Sequence, residues 1–236
     1  MTWFEQFTRS VVSEWGVVLL QGALVTLQIS GGAFALGLLI GLIVAMTKLS
    51  GKTPLVIIAN GYITVCRAVP ELLLILLLYY AGSDLINAVL DWMGYGPIEI
   101  NGFASGVLVL GIVQGAYASE IIRGAILAIP LGHIEAARAF GCSRGLIVRR
   151  ILIPEMMPFA LAGLSNLWMT LLKDSALISV VGYNELLFTA KQAAGSTKMY
   201  LLFYLSVGAM YLVITLLSNL VVERFESRFR RWMPAH

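Results

Sequence analysis

Five long apolar runs constrain this chain more than any other feature of its sequence. A bilayer core about 30 Å thick takes roughly 20 predominantly apolar residues as one helix. Five segments reach that length: Val17 to Met46, Leu55 to Ala81, Gly102 to Leu127, Met157 to Val181 and Tyr200 to Val222. Only 12% of the 236 residues are charged and 59% are hydrophobic, against about 25% charged in soluble domains, and the mean hydropathy is +0.87. The composition therefore predicts an all-α integral membrane protein with five transmembrane helices. The stretch Met1 to Gly16 carries Glu5, Arg9 and Glu14 and lacks the basic start of a cleaved signal. The apolar run behind it is too long for such a signal, so it reads as a retained span. With no internal repeat and no Pro- or Ser-rich linker, residues 1–236 read as a single transmembrane domain.

The links between spans carry charge unevenly. Thr47 to Pro54, Ala128 to Met156 and the tail from Glu223 hold Lys48, Lys52, Arg138, Arg144, Arg149, Arg150, Arg224, Arg228, Arg230 and Arg231. The other links hold Asp84, Asp91 and Glu99, then Glu185, Lys191 and Lys198. Cytoplasmic links collect Lys and Arg, which places the N-terminus outside and the C-terminus inside. An odd number of spans fits that orientation. The net charge of +3 gives no reason to expect nucleic-acid binding.

The link 128–156 is a polar island with its own local structure. Ile134 to Phe140 holds good helix formers, Gly141 suits a left-handed stop, and Ser143 can cap a second helix through Val148. That predicts a cytoplasmic helix-turn-helix elbow. Cys142 lies in it and Cys66 in an apolar run, at different membrane depths, so both read as free thiols.

Glu135-Ala136-Ala137, three residues, Gly141, nine residues and then Ile151-Leu152-Ile153-Pro154 resembles the cytoplasmic signature of permease subunits of ATP-binding-cassette importers, with Ile153 where the family has Leu. The resemblance implies the type I ABC importer permease fold, N-terminus periplasmic and C-terminus cytoplasmic, in a bacterial inner membrane. It also implies that the elbow docks on an ATPase subunit, with His133, Glu135, Ala136, Ala137, Gly141, Arg149, Arg150 and Pro154 as coupling residues. The implied partners are two ABC ATPases, a second permease subunit that is a paralogue or a second copy, and a periplasmic solute-binding protein.

Ionisable groups within spans cost roughly 2.5–3.5 kcal/mol at a helix centre and are functional candidates by default. Arg67 and Glu71 flank Pro70, Glu120 and Arg123 sit three apart, and Lys173 and Asp174 are adjacent. Spacings of three or four share a helix face and allow self-neutralisation; adjacent residues point about 100° apart and need other partners. Each pair either locks helix to helix or faces a cavity. Facing a cavity, Glu71 and Glu120 would favour a cationic solute, while Arg67 and Arg123 would meet a carboxylate. Tyr117 and Ser119 offer hydroxyls either to an amino-acid head group or to a neighbouring helix. Arg67-Ala68-Val69-Pro70-Glu71-Leu72, Ala116 to Ala125 and Leu172 to Leu177 resemble motifs of the polar amino-acid subgroup of these permeases, and most closely those for histidine, lysine, arginine and ornithine and for octopine and nopaline.

Tyr79, Tyr80, Trp92, Tyr95, Tyr183 and Trp232 read as interfacial belts, and Asn184 to Lys191 as an amphipathic surface helix. Gly37-x-x-x-Gly41 reads as a small-residue packing element with no partner identified. Chemistry of the chain's own is not expected. The sequence has no Gly-x-x-x-x-Gly-Lys-Ser/Thr phosphate loop and no metal-ligand pattern, and its histidines, His133 and His236, both lie outside the spans. The expectation is a transport subunit without a bound cofactor, ATP-Mg being used by the ATPase partner. Two alternatives are a permease for neutral or acidic amino acids and a non-transporting membrane scaffold.

Overall fold

The computed structural model describes residues 11, 13–98 and 101–230. Glu5, Arg9, Glu99, Arg231 and Trp232 lie outside the described residues, as do the side chains of Arg228 and Arg230. The described residues form helices and turns only. They are α1 (Gly16–Leu49), α2 (Thr53–Ala68), α3 (Glu71–Trp92), α4 (Gly102–Leu127), α5 (Leu131–Ala139), α6 (Arg144–Ile147), a π-helical turn (Val148–Leu152), α7 (Ile153–Asp174), a 3-10 turn (Ser175–Val181), α8 (Leu186–Thr197) and α9 (Tyr200–Arg230).

At 1.5 Å per residue α1 is roughly 50 Å long, well beyond the hydrocarbon core, so it tilts or projects. Among the described residues four helices are long and apolar enough to cross a membrane, namely α1, α3, α4 and α9 over Tyr200–Arg224. The expected span Met157 to Val181 is differently built. Its helix, α7, starts at Ile153 and stops at Asp174, the remainder being the 3-10 turn, and Ser165, Asn166 and Thr170 lower its apolarity.

The expected span Leu55 to Ala81 is two helices. Pro70 has no N–H to continue a helix and pushes its predecessor into extended backbone. Val69 has φ −90° and ψ 137°, and Pro70 ψ 132°. Apolar residues run across this break, which is why hydropathy alone joins the two sides.

Helix α4 is the pillar of the bundle: 67% of its most apolar stretch is buried, against 11% for α3. Its most extensive partner is α1, and the reason is two facing rows of small residues. A Cβ on Gly37 would lie 3.1 Å from Gln114 Cβ, and one on Gly41 2.7 Å from Ala118 Cβ. Close backbone approach gives dispersion contact where lipid offers no hydrophobic drive. From the other side, Tyr62 of α2 donates its hydroxyl to the Ile112 carbonyl.

The amphipathic helix expected at Asn184 to Lys191 starts at Leu186 and runs to Thr197, with Lys191, Gln192 and Ser196 exposed. α8 buries Leu186, Thr189, Ala190, Ala193 and Ala194 against α1 and α9. Tyr183 is half-buried and packs with Ile178 and Phe103, and Gly102 is small because the Tyr183 ring lies over it.

Candidate functional site: a polar cavity and a cytoplasmic elbow

On α4, positions 114, 117, 120 and 121 recur with helical period and share one face. Together with Arg67 at the end of α2, Glu71 at the start of α3 and Asn166 and Thr170 on α7, they line a cavity of about 280 Å³. Its neighbour α7 comes close because Gly163 lets Ile121 in; a Cβ there would meet Ile121 Cγ2 at 2.7 Å. A larger groove of about 560 Å³ between α1, α7 and α9 is lined by Leu27, Phe34, Trp168, Leu217 and similar groups. That surface suits acyl chains.

The cavity has two electrically distinct parts. At one, Glu71 stands beside the Asp174 carboxyl, and Asp174 Oδ2 accepts from Gln114 Nε2 at 3.1 Å. Gln114 is 1% exposed, and its Oε1 has no hydrogen-bond partner although the residue lines the cavity. A buried amide oxygen left without a donor is costly, so this atom offers an acceptor to whatever enters. At the other part, Glu120 is shared by two cations: Lys48 Nζ lies 2.5 Å from Oε1 and Arg123 Nη2 2.8 Å from Oε2.

These positions revise three expectations. Arg67 and Glu71 do not neutralise each other as helix neighbours, because the helix breaks between them; Arg67 lies over the Tyr117 ring, 6.0 Å from its centroid. Ser119 is fully buried and donates to the Ala116 carbonyl at 2.7 Å. Two residues beyond Tyr117 it is turned about 200° away from it, onto the face where Gly41 packs. Lys48 is the last-turn cation of α1 rather than a loop charge, and it reaches back to Glu120. Lys173 is exposed at the end of α7, while its neighbour Asp174 turns inward.

Sequence reasoning missed Gln114, Asn166 and Thr170. The signal for Gln114 was present: an amide three residues before Tyr117, hence on its face, inside an apolar run. Glu185 was read as an outer-link charge and is fully buried. Burial pushes its carboxyl up, opposed by the N–H groups of Leu187 and Phe188 and the hydroxyls of Tyr211 and Thr26.

The elbow forms as its residues predict. α5 ends in a Schellman turn, with Gly141 N–H on Arg138 O at 2.9 Å and Cys142 N–H on Ala137 O at 3.0 Å. Gly141 takes φ +74°, which a side chain resists. The Ser143 side chain caps α6, accepting from Leu146 N–H at 3.4 Å. His133 Nδ1 lies 2.7 Å from Glu155 Oε2 and ties α5 to the start of α7. Glu135, Ala136, Arg149 and Arg150 are exposed while Ala137 is buried beneath them. Phe140 is 88% exposed, an unusual position for a phenyl ring on a short polar link. Pro154 cannot donate to the Arg150 carbonyl, and just before it the chain widens into the π-helical turn, Ile153 N–H reaching Val148 O.

Residues 37–231 match the family model described as the binding-protein-dependent transport system inner membrane component. The chain belongs to that family. This permease is 43% identical over 212 residues to the histidine/lysine/arginine/ornithine transport system permease protein HisQ of Escherichia coli (strain K12), a match covering 90% of this chain and 93% of that one. To the octopine transport system permease protein OccQ of Rhizobium radiobacter it is 39% identical, over 92% of each chain. The crystal structure of an amino acid ABC transporter with histidines superposes with a TM-score of 0.76 at 32% identity, covering 91% of this chain and 95% of that one. The permease thus has the all-α fold of type I ABC importer permeases, and is a transport component rather than an enzyme.

Proposed function

We propose that this chain is the permease subunit of an ATP-driven importer that moves polar, basic amino acids or opines across the bacterial inner membrane. One observation carries the reading: a cavity within an apolar helix bundle lined by Glu71, Glu120, Arg67 and Gln114, whose Oε1 is unpaired, with the Asp174 carboxyl beside Glu71. Groups of both signs suit a solute carrying both, its cationic end at Glu71 and Asp174 and a carboxylate toward Arg67, with the Tyr117 hydroxyl between. The names of the relatives support amino acids and opines as the class.

Arg67 and Lys173 are exposed within the spanning region, where lipid contact is costly. A second permease subunit, paralogue or copy, covering this face would close the cavity. The elbow 128–156, part of a single permease domain over 1–236, offers exposed Phe140, Glu135, Arg149 and Arg150 to an ATPase in the cytoplasm, with the N-terminus periplasmic. Two ATPase subunits hydrolyse ATP-Mg, a periplasmic binding protein delivers solute, and closure of the ATPases is passed through the elbow to the helices.

A second reading rests on Glu120. Lys48 and Arg123 together exceed its single charge, which favours solutes with an extra carboxylate, opines or acidic amino acids, at that end. The experiment is uptake of labelled arginine into vesicles holding this chain with its paralogue, ATPase and binding protein, in competition with histidine, octopine, glutamine and glutamate. Displacement by histidine supports the basic reading and displacement by octopine extends it to opines. Uptake displaced by glutamate alone would replace it with the second.

A further inference from the structure

One carboxylate lies outside both the cavity and the elbow, and it is the most enclosed ionisable group described. Glu185 is 0% exposed. It caps α8, with Oε1 accepting from Phe188 N–H at 2.7 Å and Oε2 from Leu187 N–H at 2.9 Å. Two donors from other helices converge on the same Oε2, the Tyr211 hydroxyl of α9 at 3.0 Å and the Thr26 hydroxyl of α1 at 3.3 Å. Thr26 Oγ1 also accepts from Leu186 N–H at 3.2 Å, closing a ring between α1 and the start of α8. All four donors to the carboxylate are neutral.

A helix start leaves four N–H groups without intrahelical partners, and an exposed Ser, Asp or Asn caps one of them at little cost. A carboxylate with no exposed atom carries a large desolvation penalty that only a full set of donors offsets. An ordinary cap does not need that arrangement; a joint that must hold three helices in one register does. Its surroundings have little slack. A Cβ on Gly22 of α1 would stand 3.0 Å from both Leu186 Cα and Thr189 Oγ1. Left-handed residues bound α8 on each side, Gly182 at φ +83° before it and Lys198 at φ +62° after it. Upstream of Gly182, the 3-10 turn runs without a gap into Asp174, the residue that holds Gln114 in the cavity wall.

We propose that Glu185 is a positioning residue of the transport cycle: its carboxylate locks α8 to α1 and α9, and so anchors the outer end of the segment 174–185 whose inner end, Asp174, holds Gln114 in the cavity wall. The proposal rests on the cavity being the solute path. With the anchor fixed, movement of α7 is delivered to the cavity; with it loose, the segment yields and ATP is spent without solute movement. Thr26 and Tyr211 act through Glu185 and share its role.

The test uses the full complex of both permease subunits, ATPase and binding protein in vesicles. Glu185→Gln is nearly isosteric, but its amide nitrogen must face one of the donors. The complex is expected to assemble and to hydrolyse ATP at its basal rate, while arginine uptake falls about tenfold and ATP hydrolysed per solute moved rises by a similar factor. Tyr211→Phe and Thr26→Val, each removing one donor, should lower uptake by about threefold, and Glu185→Asp should recover part of the loss. A purely structural cap would change the amount of complex but not the coupling ratio of what assembles. Wild-type uptake and coupling in assembled Glu185→Gln overturn the proposal. Should that variant not assemble, wild-type coupling in both Tyr211→Phe and Thr26→Val overturns it. If the unmodified complex moves none of the labelled amino acids, the solute reading fails separately. The Glu185 proposal is then decided by ATP hydrolysis stimulated by loaded binding protein, where equal stimulation in wild type and Glu185→Gln sinks it.

Discussion

Glu120 shows how a single side chain changes meaning once its neighbours are known. In sequence it is a carboxylate in a span with one arginine three residues on; in the structure it lies between Arg123 and Lys48, a residue 72 positions away. Removing its charge leaves two cations facing each other in a poorly screened setting. Glu120→Gln is therefore expected to assemble normally yet to lower arginine uptake by about tenfold, and Lys48→Met should restore much of that loss in the Glu120→Gln background. Strictly additive effects of the two substitutions would separate Lys48 from Glu120. The Glu120–Arg123 contact was legible because it is local. The Lys48 contact was not, since nothing in a loop-like Thr-Lys-Leu-Ser marks the lysine as turning back along its own helix.

Among the elements, α1 and α4 are held by fit rather than by polar bonds. Gly41→Val places atoms where a Cβ already meets Ala118 Cβ at 2.7 Å, an overpacking that costs about 1–3 kcal/mol. The midpoint of thermal aggregation in detergent should fall for this variant and stay unchanged for Gly31→Val, where nothing lies within 4 Å. Equal midpoints would mean that the two helices are free to shift apart. Much of this level could be read in advance. The apolar runs located α1, α4 and α9, and the Glu-Ala-Ala stretch with Gly141 and Ser143 located the elbow turn nearly residue by residue, because caps and left-handed stops are short-range chemistry. Three features stayed hidden for physical reasons. Apolarity continues through Pro70, so hydropathy does not register the backbone break. The Gly37 and Gly41 row has no label naming α4 as its partner. The burial of Glu185 ahead of α8 depends on donors, Thr26 and Tyr211, that are far away in sequence.

For the whole molecule, membrane orientation can be read with a residue the protein already has. Cys66 is buried, and Cys142 in the elbow is partly accessible. In membranes that hold the permease without its ATPase, a membrane-impermeant maleimide should label the chain in inside-out vesicles and not in intact spheroplasts. Cys142→Ser should abolish the signal. Labelling from the outer side would invert the proposed orientation and remove the elbow from the cytoplasm. The elbow also has no loop on its way inward. From Arg144 through the π-helical turn to Asp174 the backbone stays helical, but Pro154 and Pro158 each withhold an N–H from it, which makes the first turns of α7 the place where it can bend. A push at the cytoplasmic end that bends those turns tilts the rest of α7 as a lever and carries Asp174, at its far end, through the longest arc of the helix.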